Sequence, residues 1–149
     1  MLLHGEAEKS SDFNPMEAIM EEGKFSIRKK VYYHDTDAGG VVYYGRYLEF
    51  LEDARTEFFL SRNIQMKILA KEGTLFVIAH IDVDYRKPAL YGDEIAVSAG
   101  IEKVTASSIH FRQDVTRGDD LLIEARIVVV CIGSNFRPKR LPDGFHSWA

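Results

Sequence analysis

Hydrophobic positions along the chain change period twice, and the changes mark out its elements. From Lys24 to Tyr33 the residues alternate, with Phe25, Ile27, Lys29, Val31 and Tyr33 on one side and Ser26, Arg28, Lys30 and Tyr32 on the other. A period of two predicts a half-buried strand. From Arg46 to about Arg62 the spacing becomes three and four. Tyr47, Phe50, Leu51, Ala54 and Phe58 form an apolar stripe that Leu48 and Phe59 broaden, and Arg46, Glu49, Glu52, Asp53 and Glu57 fill the remainder. This predicts an amphipathic helix whose stripe is wide enough to be gripped by a curved sheet. Gln65 to Lys71 adds a short second helix, stopped near Gly73.

After Thr74 the period of two returns. Leu75, Val77, Ala79, Ile81, Val83 and Tyr85 alternate with Phe76, Ile78, His80, Asp82 and Asp84, and Pro88 and Gly92 punctuate the loop that follows. Ile95, Val97, Ala99 and Ile101 alternate next. A short link around Thr105-Ala106 predicts a hairpin into Ile109, Phe111, Gln113 and Val115. Beyond the turn Arg117-Gly118-Asp119-Asp120, Leu121 to Ile132 is the most apolar run, expected as a central strand covered on both faces. At the front, 1–13 reads as a loose polar arm. Asn14-Pro15 reads as a helix start, with Met16 to Glu22 as a short helix and Gly23 ending it. The basic, proline-broken run Arg137-Pro138-Lys139-Arg140-Leu141-Pro142 is not a strand. One helix against about five antiparallel strands must bury its apolar face on them, which gives an α+β domain over residues 24–142. Residues 1–23 form an arm with a short helix, and 143–149 a tail.

Composition narrows the class. With 149 residues, 46% hydrophobic and 28% charged, the chain matches one ordinary globular domain. A formal charge of −4 argues against a nucleic-acid binder, which normally carries a basic face. The single cysteine, Cys131, excludes an internal disulfide and sits in an apolar run, as a small buried thiol would. No apolar stretch approaches the roughly 18 residues that span a bilayer, and the first residues carry no signal-peptide pattern, so a cytoplasmic location is expected.

Several chemistries are disfavoured by the motifs. Gly39, Gly40 and Gly45 are wrongly spaced for a dinucleotide fingerprint, and neither a phosphate loop nor a G-x-S-x-G elbow occurs. The five histidines are scattered without zinc spacing. Asp35-Thr36-Asp37 remains. A D-x-D is commonly a polar turn with a helix cap. Here Gly39-Gly40 lets the chain bend back tightly, and the apolar, aromatic residues Val41, Val42, Tyr43 and Tyr44 suit a substrate wall better than a solvated turn. The stretch delivers a carboxylate close to a helix N-terminus, where free backbone N–H groups polarise a carbonyl oxygen. A carboxylate so placed activates water or attacks an acyl carbon.

The run Tyr33-x-Asp35-Thr36-Asp37-Ala38-Gly39-Gly40-Val41-Val42-Tyr43-Tyr44-x-x-Tyr47 closely resembles the signature of the hotdog-fold 4-hydroxybenzoyl-CoA thioesterase family, nearest its Tol-Pal-associated acyl-CoA thioesterase branch. Similarity continues through Glu52-x-Ala54-Arg55-Thr56-Glu57-Phe58-Phe59 and Asp84-Tyr85-Arg86-Lys87-Pro88-Ala89-x-x-Gly92-Asp93, and covers about Phe25 to Pro142. The resemblance implies a hotdog fold, a homodimer or homotetramer with sites between subunits, and hydrolysis of acyl-CoA. Asp37 matches the catalytic carboxylate, and Tyr44 matches the residue whose backbone N–H polarises the thioester carbonyl. Asp35 would be structural, and Tyr33 would line the pocket with Gly40, Val41 and Tyr43. The Tol-Pal branch usually has histidine where this chain has Tyr44, whereas the hydroxybenzoyl branch has tyrosine; a backbone donor survives that change.

A preorganised donor of this kind is worth roughly 3–4 kcal/mol to the transition state. CoA thiolate leaves readily, so no metal and no separate cofactor is expected. CoA phosphates call for basic residues, and Arg86, Lys87, Arg137, Lys139 and Arg140 are the candidates. The expected substrates are short or medium acyl-CoA, or aryl-CoA. Hydrolysis of acyl groups on acyl carrier protein and a non-catalytic acyl-CoA-binding module are the alternatives.

Overall fold

The computed structural model describes Phe13, Asn14 and residues 16–148. The arm expected over 1–13 thus lies outside the described residues except for Phe13, and so does Pro15. Six strands, β1 (Ala18–Glu21), β2 (Lys24–Lys30), β3 (Leu75–Tyr85), β4 (Glu94–Val104), β5 (Ser108–Arg117) and β6 (Asp120–Ile132), accompany two helices, α1 (Arg46–Ser61) and α2 (Met66–Lys71). The strands form one sheet in the order β1-β2-β4-β5-β6-β3, antiparallel at every junction. Along α1, the residues Tyr47, Phe50, Leu51, Ala54, Phe58 and Phe59 are buried. They meet the inward positions Ile27, Val97, Phe111, Val115 and Ile127 of the sheet. Phe58 stands edge-on to Phe25 and Phe111, at 5.6 and 5.7 Å between ring centres. One long helix held by an antiparallel sheet is the hotdog arrangement that the resemblance implies.

Four features depart from the sequence expectations. Residues 16–22 are not a helix. Ala18–Glu21 forms β1 and pairs with β2 through a hairpin whose turn residues Glu22 and Gly23 both have positive φ, 52° and 76°. A helix of two turns is marginal by itself, whereas β2 offers an open edge for pairing. Gly23 therefore serves a tight hairpin turn. The sheet accordingly has six strands rather than five. β6 buries one face only. Its outward residues Glu124, Val128 and Val130 are half-exposed and Arg126 is exposed, since among the described residues no second layer lies over them.

The third departure concerns β3. Its register against β6 slips between Ile78 and His80, leaving Ala79 as the extra residue of a bulge. Phe76 and Ile78 pair with the buried Cys131 and Val129, and Ile81, Val83 and Tyr85 pair with Ile127, Ala125 and Ile123. All five therefore share the inner face, and the simple alternation expected over 75–85 holds only in halves. The fourth concerns the chain end, expected as a tail. Residues Phe145–Trp148 form a 3-10 turn, Phe145 is buried, and its ring stacks on Phe76 at 5.9 Å and on Trp148 at 4.6 Å.

One polar group lies deep between helix and sheet. Gln113 is fully buried, and its Nε2 donates to the carbonyls of Leu51 and Ser98, each at 3.0 Å. Its Oε1 accepts from Arg55 Nη1 at 2.8 Å. Buried polar groups left unpaired are costly. Gln113→Leu is expected to destabilise the fold by about 3 kcal/mol, read as a lower urea midpoint at unchanged slope. A loss below about 1 kcal/mol would show that these bonds do not hold α1 to the sheet.

Candidate active site

Between β2 and α1 the chain makes a compact loop, and Asp35 fixes both of its ends. Residues Tyr33–Asp35 form a 3-10 turn. The Asp35 carboxylate is buried, accepts from the Tyr32 N–H at 2.9 Å, and accepts from Arg46 Nε at 2.7 Å. The Asp35 carbonyl accepts from the Tyr43 N–H at 3.1 Å. One residue therefore ties the end of β2 to the first turn of α1, as the structural role expected of it requires. Arg46 also pairs with Glu49, and its guanidinium is raised above its usual pKa mainly by the hydrogen bond to Asp35.

The chain reverses within the clamp. The Asp37 N–H donates to the Val41 carbonyl, and the Gly40 N–H to the Asp37 carbonyl, each at 3.0 Å. Gly40 has φ of 78°, a left-handed conformation that glycine adopts without strain. Gly45, just before α1, lets the Tyr43 ring lie close: a Cβ there would come 2.8 Å from its Cε2, and the half-exposed ring would have to shift. The loop is laced to the segment after β3, through Val42 N–H to the Ala89 carbonyl at 2.9 Å and Tyr91 N–H to the Gly40 carbonyl at 3.3 Å. Beneath it the buried Tyr47 hydroxyl accepts from the Ala89 N–H at 2.9 Å.

Asp37 stands exposed on this loop. One carboxylate oxygen accepts from the Gly39 N–H at 2.9 Å, and among the described residues the other has no protein partner. Tyr44 is exposed too, and its backbone N–H, one residue before the Gly45 cap of α1, donates to no acceptor among the described residues. Its carbonyl is already engaged, accepting from the Tyr85 hydroxyl at 3.1 Å. An open groove of about 260 Å³ adjoins it, with Val42, Tyr44 and Tyr47 on one side and Tyr85, Arg86, Lys87 and Pro88 on the other. Burial pushes the Tyr47 and Tyr85 phenols above their usual pKa, so both stay neutral in neutral solution.

Tyr33, Asp37, Gly40, Val41, Tyr43 and Tyr44 all lie on the loop between β2 and α1; of these Tyr44 lines the groove, and the Tyr33 ring stands against Tyr91 at 5.9 Å. Arg86 and Lys87 line the groove and hold Glu124 at 2.7 Å and Asp120 at 3.1 Å through exposed ion pairs. Such pairs are weak enough for phosphate to compete. The remaining basic candidates lie elsewhere in the chain. Lys139 Nζ donates to the Thr74 hydroxyl at 2.7 Å, beside Arg137, while Leu75 pairs with Ile132. Arg137, Lys139 and Arg140 therefore stand at the opposite end of β3 from Tyr85, roughly 30 Å away for a strand of this length. Sequence reasoning missed Arg46 as the anchor of Asp35 and Tyr85 as a groove wall. The signal for the first was an arginine in the first helical turn, one turn beyond an acidic loop.

This loop, fold and groove belong to a known class. A model of the thioesterase-like superfamily matches residues 31–149, and the chain belongs to that superfamily. Among curated relatives, "Acyl-CoA thioesterase YbgC" of Haemophilus influenzae is 36% identical over 133 residues, covering 85% of this chain and 98% of the relative. Among solved structures, a probable thioesterase from Bartonella henselae superposes with a TM-score of 0.77 at 28% identity, covering 80% of this chain and 99% of that one. A thioesterase from Thermus thermophilus, complexed with coenzyme A and Zn, superposes at 0.69 with 30% identity, covering 79% and 85%.

Asp35→Ala is expected to cost about 2 kcal/mol, less than a fully buried ion pair because Arg46 is a third exposed and screened. Equilibrium denaturation of Asp35→Ala, Arg46→Ala and the double variant should give a coupling of at least about 1 kcal/mol. Additive losses would remove the clamp from the account of the site.

Proposed function

We propose that the chain hydrolyses acyl-CoA thioesters at the loop between β2 and α1, with Asp37 as the reacting carboxylate and the Tyr44 N–H as the oxyanion donor. The observation that carries this reading is the presence, on one tethered loop, of a carboxylate oxygen without a protein partner and a backbone amide without an acceptor among the described residues. An amide at a helix start sits in the positive end of the helix dipole, where an oxyanion is stabilised. Water supplies the new acyl oxygen, either activated by Asp37 as base or released onto a mixed anhydride after Asp37 attacks. The C–S bond breaks in both routes, giving the free acid and the CoA thiol. Short or medium acyl groups and aryl groups are the substrates we assign, with no cofactor beyond CoA itself. The location we assign is the cytoplasm; among the described residues no helix is long and apolar enough to cross a membrane.

The same reading includes a homodimer. β3 is an edge strand of 11 residues whose Val77, Ile78, Ile81 and Tyr85 are all at least 39% exposed, an edge of the kind that proteins normally cover. Antiparallel pairing of two β3 strands about a two-fold axis would bring the 137–140 segment of the partner subunit towards the groove. That accounts for basic residues standing 11 strand positions from the site within their own chain.

Asp37→Asn is expected to lower kcat/KM for thiol release from acyl-CoA by roughly 10²–10⁴-fold. Its melting temperature should hardly move, because the side chain makes only the Gly39 bond. Wild-type turnover by this variant would falsify the assignment, and a large excess of activity on acyl-acyl carrier protein would move the substrate class. Sedimentation equilibrium is expected to give twice the 17.0 kDa of the chain, or four times that mass; a monomer would remove the partner from the site.

A further inference from the structure

Resting on the thioesterase reading, we infer that this enzyme takes acyl groups whose far end carries a carboxylate, bound by Arg55 at the floor of a trough between α1 and β3. The trough lies beyond the Tyr44 groove, has a volume of about 350 Å³, and is walled by Leu48, Phe59, Phe76, Ile78 and Ile81. Such a wall would suit a plain hydrocarbon, but three charged residues also line the trough: Glu49 and Glu52 are exposed, Glu49 being paired with Arg46, and Arg55 is buried. Arg55 is only 8% exposed, yet it makes one hydrogen bond, to the neutral Gln113 amide, and no ion pair among the described residues. Desolvation lowers its pKa. A buried guanidinium is normally matched by an anion that takes its remaining N–H donors. Among the described residues none is in contact; Glu52, on the same helix, is exposed and acts on Arg55 only at longer range.

Geometry limits the length of the acyl group. Arg55 stands nine positions after the first residue of α1, about 14 Å along the axis, and its side chain leans back towards the helix start. An acyl group held at Tyr44 must run down much of that distance before its far end meets the guanidinium. A medium-length dicarboxylic acid, linked to CoA through one carboxyl, has the reach; succinyl does not. Beyond Arg55, Phe59 and Phe76 close the trough, backed by Phe145 at 6.3 and 5.9 Å.

The test is kcat/KM for thiol release from suberoyl-, octanoyl-, ω-hydroxyoctanoyl- and succinyl-CoA with the wild-type enzyme. Suberoyl-CoA should exceed octanoyl-CoA by roughly tenfold or more, through KM, and succinyl-CoA should gain nothing. The suberoyl-to-octanoyl ratio should fall to one or below in Arg55→Met and stay above one in Arg55→Lys. Should Arg55→Met fail to fold, Glu52→Gln on the exposed helix face provides a second reading, since removing that negative charge should raise the ratio. Equal rates for suberoyl- and octanoyl-CoA, or a preference for the ω-hydroxyl compound, would overturn the inference while leaving the thioesterase reading intact. A ratio unchanged in Arg55→Met, with loss of the oligomer, would assign Arg55 to a subunit contact instead. Failure to cleave any of the four, or benzoyl-CoA run beside them, would remove the thioesterase reading and this inference together.

Discussion

The carboxylate of Asp35 is the constraint on which the loop depends. It is buried, so its charge must be met locally, and it is met by one side chain from α1 and one amide from the end of β2. Because those partners come from the two elements that flank the loop, satisfying one charge fixes the distance between them. The residues in between then have little freedom: their amides are taken up by Val41, Asp37 and Ala89 carbonyls. What is left over is the useful part. The Tyr44 amide and one oxygen of Asp37 are among the groups the clamp does not consume, and the amide lies at the positive end of a 16-residue helix.

A second polar knot performs the corresponding task deeper in the molecule. Gln113, on an inward position of β5, bonds a helix carbonyl, a strand carbonyl and a guanidinium at once. An apolar core alone would allow α1 to slide or rotate on the sheet by small amounts, because burial is non-directional. Three directed bonds from one buried amide remove that freedom. The helix start beside the Tyr44 amide is therefore indexed against the sheet as well as against the loop.

Much of this was legible in the chain because periodicity survives wherever one face is buried. The strand at Lys24, the helix from Arg46 and the strands after Glu94 all follow their hydrophobic spacing. The loop that carries Asp37 and Tyr44 was legible as a tight turn through its glycines, of which Gly40 has a positive φ. The failures have local causes. Residues 16–22 carry helix-favouring side chains, but sheet-edge pairing outweighs that preference. The chain end looked like a tail because Phe145 and Trp148 are isolated aromatics with no periodic neighbours, and only the fold brings Phe76 to them. Arg55 hid in plain view: it lies four residues after Leu51 on the apolar stripe, where a charge could have been noticed as misplaced.

The bulge at Ala79 acts as a phase-setter for the strand on which the trough is built. Side chains on a strand swap faces with every residue, so one extra position exchanges inside for outside along everything on one side of it. Pairing these residues one for one, without the bulge, would leave the Ile81–Tyr85 half in place and turn Phe76 and Ile78 outward. The aromatic stack with Phe145 would lose its partner, and the chain end its anchor. The apolar wall facing α1 is thus set by a counting rule in the backbone: a shift of one residue there would change which side chains line the trough while leaving the loop between β2 and α1 untouched.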